Sequence, residues 1–168
     1  MTLAYPISTK TVGETQPGEF IRLTHGGTGA FAVVIEAGAG ECSVGLLSPT
    51  QIKSSALVRP SRNASCISWG CDWVIEPRFG PEDRAGNDDL FSVPGCLVID
   101  RDECLLVFKN LQPTAFQPWF FGLRSRTLVD SPSSFACAVR QWSIWPNLDQ
   151  YNRGVLAPLF TMAAHHNE

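Results

Sequence analysis

Short apolar runs alternate with clusters of turn residues over the first two thirds of the chain. The runs are rich in Val, Ile, Leu, Phe and Trp, and Gly, Pro, Asn and Ser separate them. Runs of this length and composition favour β-strands, and the residues between them supply the backbone conformations that turns require. The predicted strands are 20–24, 30–36, 42–47, 56–59, 65–69, 72–76, 96–100 and 104–109.

Regular spacing of short strands and turns is typical of an antiparallel β-sandwich or barrel. We therefore expect a mainly β protein with one or two short C-terminal helices. A chain of 168 residues fits one domain of ordinary size, so residues 1–168 are expected to form a single β-rich unit. Residues 1–130 are mostly strands in this prediction, and residues 131–168 form a helical or irregular C-terminal segment.

The clearest hairpin spans residues 96–108, where two apolar runs flank Asp-Arg-Asp-Glu. Loops of two or four residues both place Ile99 opposite Cys104 and Val98 opposite Leu105. Alternation then puts Cys104 and Cys96 on opposite faces, and it makes both faces of the hairpin apolar. Such a hairpin needs cover on both sides, so we expect a second layer together with a helix or a neighbouring subunit.

Residues 131–134, Ser-Pro-Ser-Ser, resemble a helix start, with a hydroxyl at the cap and proline at the first helical position. Apolar residues follow at helical spacing, which predicts a helix that ends before Pro146. A strand is the alternative, because Phe135, Cys137 and Val139 also alternate. One more short helical piece, interrupted at Pro158, is predicted in the tail, residues 147–168.

Charged residues are sparse, at 17% of the chain against about 25% in an ordinary soluble domain. Ten of the 13 basic residues are Arg, a bias seen both at protein contact surfaces and in proteins of GC-rich genomes. Four aromatic residues surround a proline in 116–121, and two arginines follow. The segment is either a buried strand or a contact surface; the predicted contact residues are Phe116, Trp119, Phe120, Phe121, Arg124 and Arg126.

The net charge of −3 and the absence of a basic run disfavour nucleic-acid binding. No apolar run has the length of a membrane helix, and the first ten residues do not resemble a signal peptide. We therefore expect no membrane partner and no classical secretion. A virion is the setting suggested by the contact-surface interpretation.

Six cysteines show neither a C-x2-C pair nor the spacing of a zinc site, and most lie within apolar runs. We interpret them as free, mostly buried thiols. A nucleophilic pair of His25 with Cys71 or Cys42 is conceivable, but no sequence spacing supports it. The adjacent residues His165 and His166 are interpreted as a solvated tail rather than as metal ligands.

No other motif indicates chemistry. The Gly-rich stretch at 26–29 is best explained as a turn between strands, because no G-x-S-x-G nucleophile motif accompanies it. The acidic groups at 82–83, 88–89 and 100–103 are interpreted as solvated loop and hairpin residues. The sequence therefore predicts no catalytic residue, no metal and no cofactor.

The leading hypothesis is a non-enzymatic structural protein that docks onto copies of itself or onto a larger protein shell. A capsid-associated, cement or decoration protein of a virion is an example. It would belong to a homo- or hetero-oligomer. The alternative is a ligand-binding β-sandwich or barrel in which Trp69, Trp73 and Trp119 line a pocket for a carbohydrate or an apolar small molecule.

Overall fold

The computed structural model describes residues 7–38, 40–47, 55–81, 83, 93–110, 117–154 and 157–163. Within these ranges the chain forms fourteen β-strands and one short α-helix. The strands of the first half are β1 (Ser8–Thr11), β2 (Phe20–His25), β3 (Thr28–Glu36), β4 (Ser43–Leu47), β5 (Ala56–Val58), β6 (Ser65–Ser68) and β7 (Val74–Arg78). Those of the second half are β8 (Leu97–Asp100), β9 (Glu103–Phe108), β10 (Trp119–Gly122), β11 (Leu128–Val129), β12 (Cys137–Val139), β13 (Gln141–Trp145) and β14 (Phe160–Met162), and the helix is α1 (Leu148–Arg153).

The strands pair into three antiparallel sheets that form a β-sandwich, so the predicted mainly β fold is confirmed. All eight strands predicted from the sequence are present, with ends displaced by at most two residues. The strand order is β1-β6-β2-β3-β4-β5 in the six-stranded sheet, β11-β10-β9-β8-β12 in the five-stranded sheet and β14-β13-β7 in the three-stranded sheet.

One main core joins the three sheets. Phe20 from the six-stranded sheet, Phe121 from the five-stranded sheet and Trp142 from the three-stranded sheet all lie fully buried in it. The two larger sheets pack closely at Gly45, where a side chain would overlap the buried ring of Phe108. Because Gly45 has no side chain, β4 leaves room for the Phe108 ring of β9.

The β8–β9 hairpin has the predicted register, with Ile99 opposite Cys104 and Val98 opposite Leu105. Its turn consists of two residues, and Arg101 adopts the left-handed conformation that such a turn requires (φ 52°). Cys104 packs against the main core, and Cys96 lies in a separate cluster on the other face. The two thiols therefore face opposite sides, as predicted.

The expectation that this hairpin needs a neighbouring subunit to cover its second face is wrong. The second face is buried within one chain: Cys96, Val98 and Val107 are fully buried, and Leu105 is exposed by 1%. They share a cluster with Phe120, Ala136 and Ala138. A single copy of the chain thus hides both apolar faces of the hairpin.

The helix predicted for residues 131–145 is also wrong, since this segment contains β12 and β13. Strand β12 pairs with β8, and β13 lies between β14 and β7. These partners are distant in sequence, and their backbone hydrogen bonds override the local helical spacing. The alternation of Cys137 and Val139, which favoured a strand, was the correct signal.

The predicted short helical piece of the tail is present as α1. The side chain of Asn147 accepts a hydrogen bond from the Gln150 amide at 2.9 Å and caps the first turn. Gly154 ends the helix in the left-handed conformation at φ 60°. The helix ends there, four residues before Pro158.

Candidate functional site

The predicted contact residues divide into a buried and an exposed group. Phe120 and Phe121 lie on β10 in the interior of the five-stranded sheet, exposed by 5% and 0%. These two rings are therefore part of the protein's own core and cannot serve as surface contacts. Arg124 and Arg126 are exposed just beyond β10.

Trp119 and Phe116, the remaining two predicted contact residues, belong to neither group. Trp119 is half-buried and packs against the main core. Phe116 lies outside the described residues, as do His165 and His166. The surface that the structure leaves open is thus the arginine-bearing turn, residues 123–127, rather than the aromatic strand before it.

The carboxylate of Glu103 fixes the turn 123–127. It accepts hydrogen bonds from the backbone amides of Arg124 and Ser125, each at 2.9 Å, and from the Cys104 amide at 3.0 Å. Partial burial raises the pKa of Glu103, but these hydrogen bonds to the charged form outweigh burial and leave the pKa below its usual value. The turn is therefore held by a charged group at neutral pH.

Arg126 is positioned by its backbone as well as by its side chain. It adopts the left-handed conformation (φ 56°), which non-glycine residues seldom occupy, and its amide donates to the Gly122 carbonyl at 2.8 Å. Its aliphatic stem lies over Gly18, where a side chain would come within 3.0 Å of the Arg126 Cδ. The contact brings the arginine against the loop that precedes β2.

A cavity of about 250 Å³ lies between this turn, the loop before β2 at Gly18 and the segment 71–75, which leads into β7 of the three-stranded sheet. We call it the arginine groove. The Trp73 indole forms part of its wall and is fixed by a 2.8 Å hydrogen bond from Nε1 to the Gly18 carbonyl. The residues that define the two sides are Gly18, Trp73 and Ile75 on one and Leu123, Arg124 and Arg126 on the other.

The two arginines of the groove carry charge that no described carboxylate neutralises directly. Among the described residues neither guanidinium forms an ion pair; Arg124 Nη1 makes one long hydrogen bond, 3.4 Å to the Asp102 carbonyl. Glu103 also lines the groove, but backbone amides occupy its oxygens. The groove therefore offers an apolar floor with two cations beside it.

Two thiols also line the groove, and neither is activated. Burial raises the pKa of Cys71, and the nearby Arg126 and Gln16 offset only part of the effect. Burial and the neighbouring Glu103 both raise the pKa of Cys104. A thiol with a raised pKa is a poor nucleophile at neutral pH, so these cysteines do not support a catalytic interpretation.

A second feature stands at the same end of the five-stranded sheet. Asp100 accepts hydrogen bonds from the Ser133 amide at 2.7 Å and from the Ser133 hydroxyl at 2.5 Å. The Ala136 amide in turn donates to the Ser133 carbonyl at 3.1 Å. We call residues 133–136 the Phe135 turn, because it displays the Phe135 side chain at 81% exposure.

Sequence reasoning missed Phe135 because it placed this residue on the apolar face of the predicted helix. Ser133, which that prediction placed in the first helical turn, instead donates its amide and hydroxyl hydrogens to Asp100. The available signal was an aromatic residue directly after Ser-Pro-Ser-Ser, a composition that favours turns. The β8–β9 turn lies between the two features, since Asp100 holds the Phe135 turn and Asp102 lines the groove.

The proposed pairs of His25 with a cysteine do not form. His25 ends β2, whereas Cys71 follows Gly70, whose carbonyl binds the Phe20 amide at the start of that strand. Five residues of extended strand separate the two sites by about 17 Å. Cys42 is farther away, since it adjoins the end of β3 at Glu36, on the order of 27 Å from the turn.

The other chemical candidates have structural roles. Gly26 and Gly27 form the two-residue turn of the β2–β3 hairpin with φ values of 57° and 80°, as the sequence predicted. All six cysteines are free. In the described ranges no three His, Cys, Asp or Glu side chains come together as metal ligands.

Of the three tryptophans in the alternative hypothesis, only Trp73 lines the arginine groove. Trp69 stacks at a tilt against Phe20 and Phe31, and Trp119 packs on the main core. Trp73 contacts Phe20 and lines the arginine groove. The groove is therefore the place where a ligand could meet one of the predicted tryptophans.

Comparison with known proteins adds no functional information, because no family model, no curated protein and no solved structure matches the chain. No helix in the described part of the chain is long and apolar enough to cross a membrane.

Proposed function

We propose that the protein is a non-enzymatic docking module that assembles with copies of itself or with the subunits of a larger protein shell. The observation that carries this proposal is Phe135, an aromatic side chain 81% exposed on a turn fixed by Asp100. Protein contacts draw most of their energy from a few aromatic and arginine side chains, and rigid presentation lowers the entropy cost of binding.

The neighbouring surface supports the same proposal. Arg124 and Arg126 stand at the same end of the sheet, and Glu103 holds their turn in place. The low content of charged residues and the preference for Arg over Lys agree with a surface that meets other proteins. A virion shell, with this chain as a capsid-associated, cement or decoration protein, is the setting we propose, and composition alone supports that part.

Self-docking is tested by sedimentation velocity of the purified chain over a concentration series. We expect the wild type to associate reversibly, and Phe135→Ser to weaken the association about tenfold or more, as loss of a central aromatic anchor does. Phe79→Ser is the matched control, because Phe79 is also exposed, by 65%, but follows β7 in the three-stranded sheet.

Self-docking through this surface is excluded if the wild type stays monomeric at every concentration. It is also excluded if Phe135→Ser and Phe79→Ser behave alike. Circular dichroism of both variants verifies that they keep the β fold, so that a change in sedimentation reports on the surface.

The second candidate function is binding of a carbohydrate or an apolar small molecule in the arginine groove. It is favoured by the indole of Trp73, which lines a cavity of about 250 Å³. Titration of tryptophan fluorescence with panels of glycans and lipids tests it: a saturable change that Trp73→Phe removes supports a ligand site, and no change with any compound argues against it.

A further inference from the structure

We propose that the Phe135 ring of one copy enters the arginine groove of a second copy. This inference rests on the proposed docking function and names the two surfaces that meet. Both are present on every copy, at the same end of the five-stranded sheet and on either side of the β8–β9 turn. Two surfaces that differ but fit each other generate either a closed pair or a head-to-tail array.

The size of the groove suits a phenyl ring. Its volume is about 250 Å³, and apolar cavities of roughly 150 Å³ already hold a benzene molecule. Phe135 does not fill the groove of its own chain, since its side chain is 81% exposed. A second copy of the chain therefore supplies an exposed ring of the right size.

The chemistry of the groove also suits an aromatic ring. Trp73, Ile75 and Leu123 give it an apolar wall. Arg124 and Arg126 present guanidinium groups that make no ion pair with the described carboxylates, and such groups bind well over the face of an aromatic ring. Phe31 shows the same preference within the fold, since the Arg22 guanidinium lies 5.7 Å from the centre of its ring.

Both surfaces are held in place before they meet. Asp100 fixes the Phe135 turn, and Glu103 fixes the turn that carries the two arginines. Trp73 is fixed by its hydrogen bond to Gly18. Because little has to be ordered on contact, a small interface of this kind can form with a modest loss of entropy.

The test uses two variants of the full chain that each lack one of the surfaces. Phe135→Ala removes the ring and keeps the groove. Cys71→Phe places a ring inside the groove and keeps Phe135, and Cys71→Ser is its control, because it leaves the groove open. Arg124→Ala with Arg126→Ala is a second groove variant, which changes only exposed side chains.

We expect Phe135→Ala and Cys71→Phe to sediment as monomers when each is alone, and to associate when they are mixed, because the intact groove of the first accepts the intact ring of the second. Cys71→Ser should associate like the wild type. If Phe135→Ala and Cys71→Phe are each monomeric and their mixture is also monomeric, the ring of one copy does not enter the groove of another. That result overturns this inference, but it leaves the proposed docking through the same surface in place. If the wild type itself never associates, or if no variant changes its association, the inference and the proposed self-docking fail together.

Discussion

At the scale of single residues, the buried carboxylate of Glu19 is an acidic group that folding encloses. It is exposed by only 3%, and the Lys10 ammonium lies 2.9 Å from each of its oxygens. The Ser68 hydroxyl and the Gln16 backbone amide donate further hydrogen bonds to the Glu19 carboxylate. A buried charge that is fully paired in this way stabilises the attachment of β1 to the six-stranded sheet.

We predict that Lys10→Ala lowers the free energy of unfolding by about 3 kcal/mol, because it leaves a buried carboxylate without its cation. Urea unfolding measures the change. The control is Arg59→Ala, which breaks the exposed ion pair with Glu41 and should cost less than about 1 kcal/mol. Equal losses for the two variants would show that Glu19 does not need its partner.

At the scale of elements, two turns depend on charged carboxylates. Hydrogen bonds from Ser133 lower the pKa of Asp100, and those from the turn 123–127 overcome burial and lower the pKa of Glu103. A group whose pKa is lowered by folding stabilises the native state above its unfolded pKa, about 4, and loses that contribution as pH falls through the lower folded value. Acid therefore loosens both turns.

We predict that the backbone amide resonance of Ser125 follows the titration of Glu103, and that the resonance of Ser133 follows the titration of Asp100. Both changes should occur at pH values below the usual range of these acids. A pH series of amide NMR spectra measures this. In Glu103→Gln the Ser125 resonance should lose its acid titration, and the Ser133 resonance should keep it. Titration of both resonances in Glu103→Gln would show that Glu103 is not the group that fixes the turn 123–127.

At the scale of the whole molecule, the packing of the two larger sheets depends on Gly45. A methyl group there overlaps the ring of Phe108, which is fully buried. The glycine thus sets how closely β4 and β9 approach.

We predict that Gly45→Ala destabilises the protein by about 1–3 kcal/mol through overpacking, as judged by thermal or urea unfolding. Gly40→Ala is the control, since nothing lies within 4 Å of the added methyl and its backbone needs no glycine. In the Gly45→Ala background, Phe108→Leu should cost less than it does in the wild type. Purely additive losses would mean that the two side chains do not collide.

The burial of both faces of the β8–β9 hairpin changes the argument for assembly. From the sequence, exposed apolar faces were the reason to expect a partner, and one chain covers them by itself. What now supports docking is a much smaller surface, Phe135 together with Arg124 and Arg126. Only the two arginines of that surface were identified from the sequence.

Alternation and turn chemistry act between neighbouring residues, and they were sufficient to predict the strands of the first two thirds and the register of the β8–β9 hairpin. They also predicted correctly that Cys96 and Cys104 face opposite sides. Local pattern did not predict that 137–145 pairs as strands, that Phe120 and Phe121 are buried, or that Phe135 is exposed near a groove. Those outcomes depend on hydrogen bonds and packing between segments far apart in the chain, which local spacing does not encode.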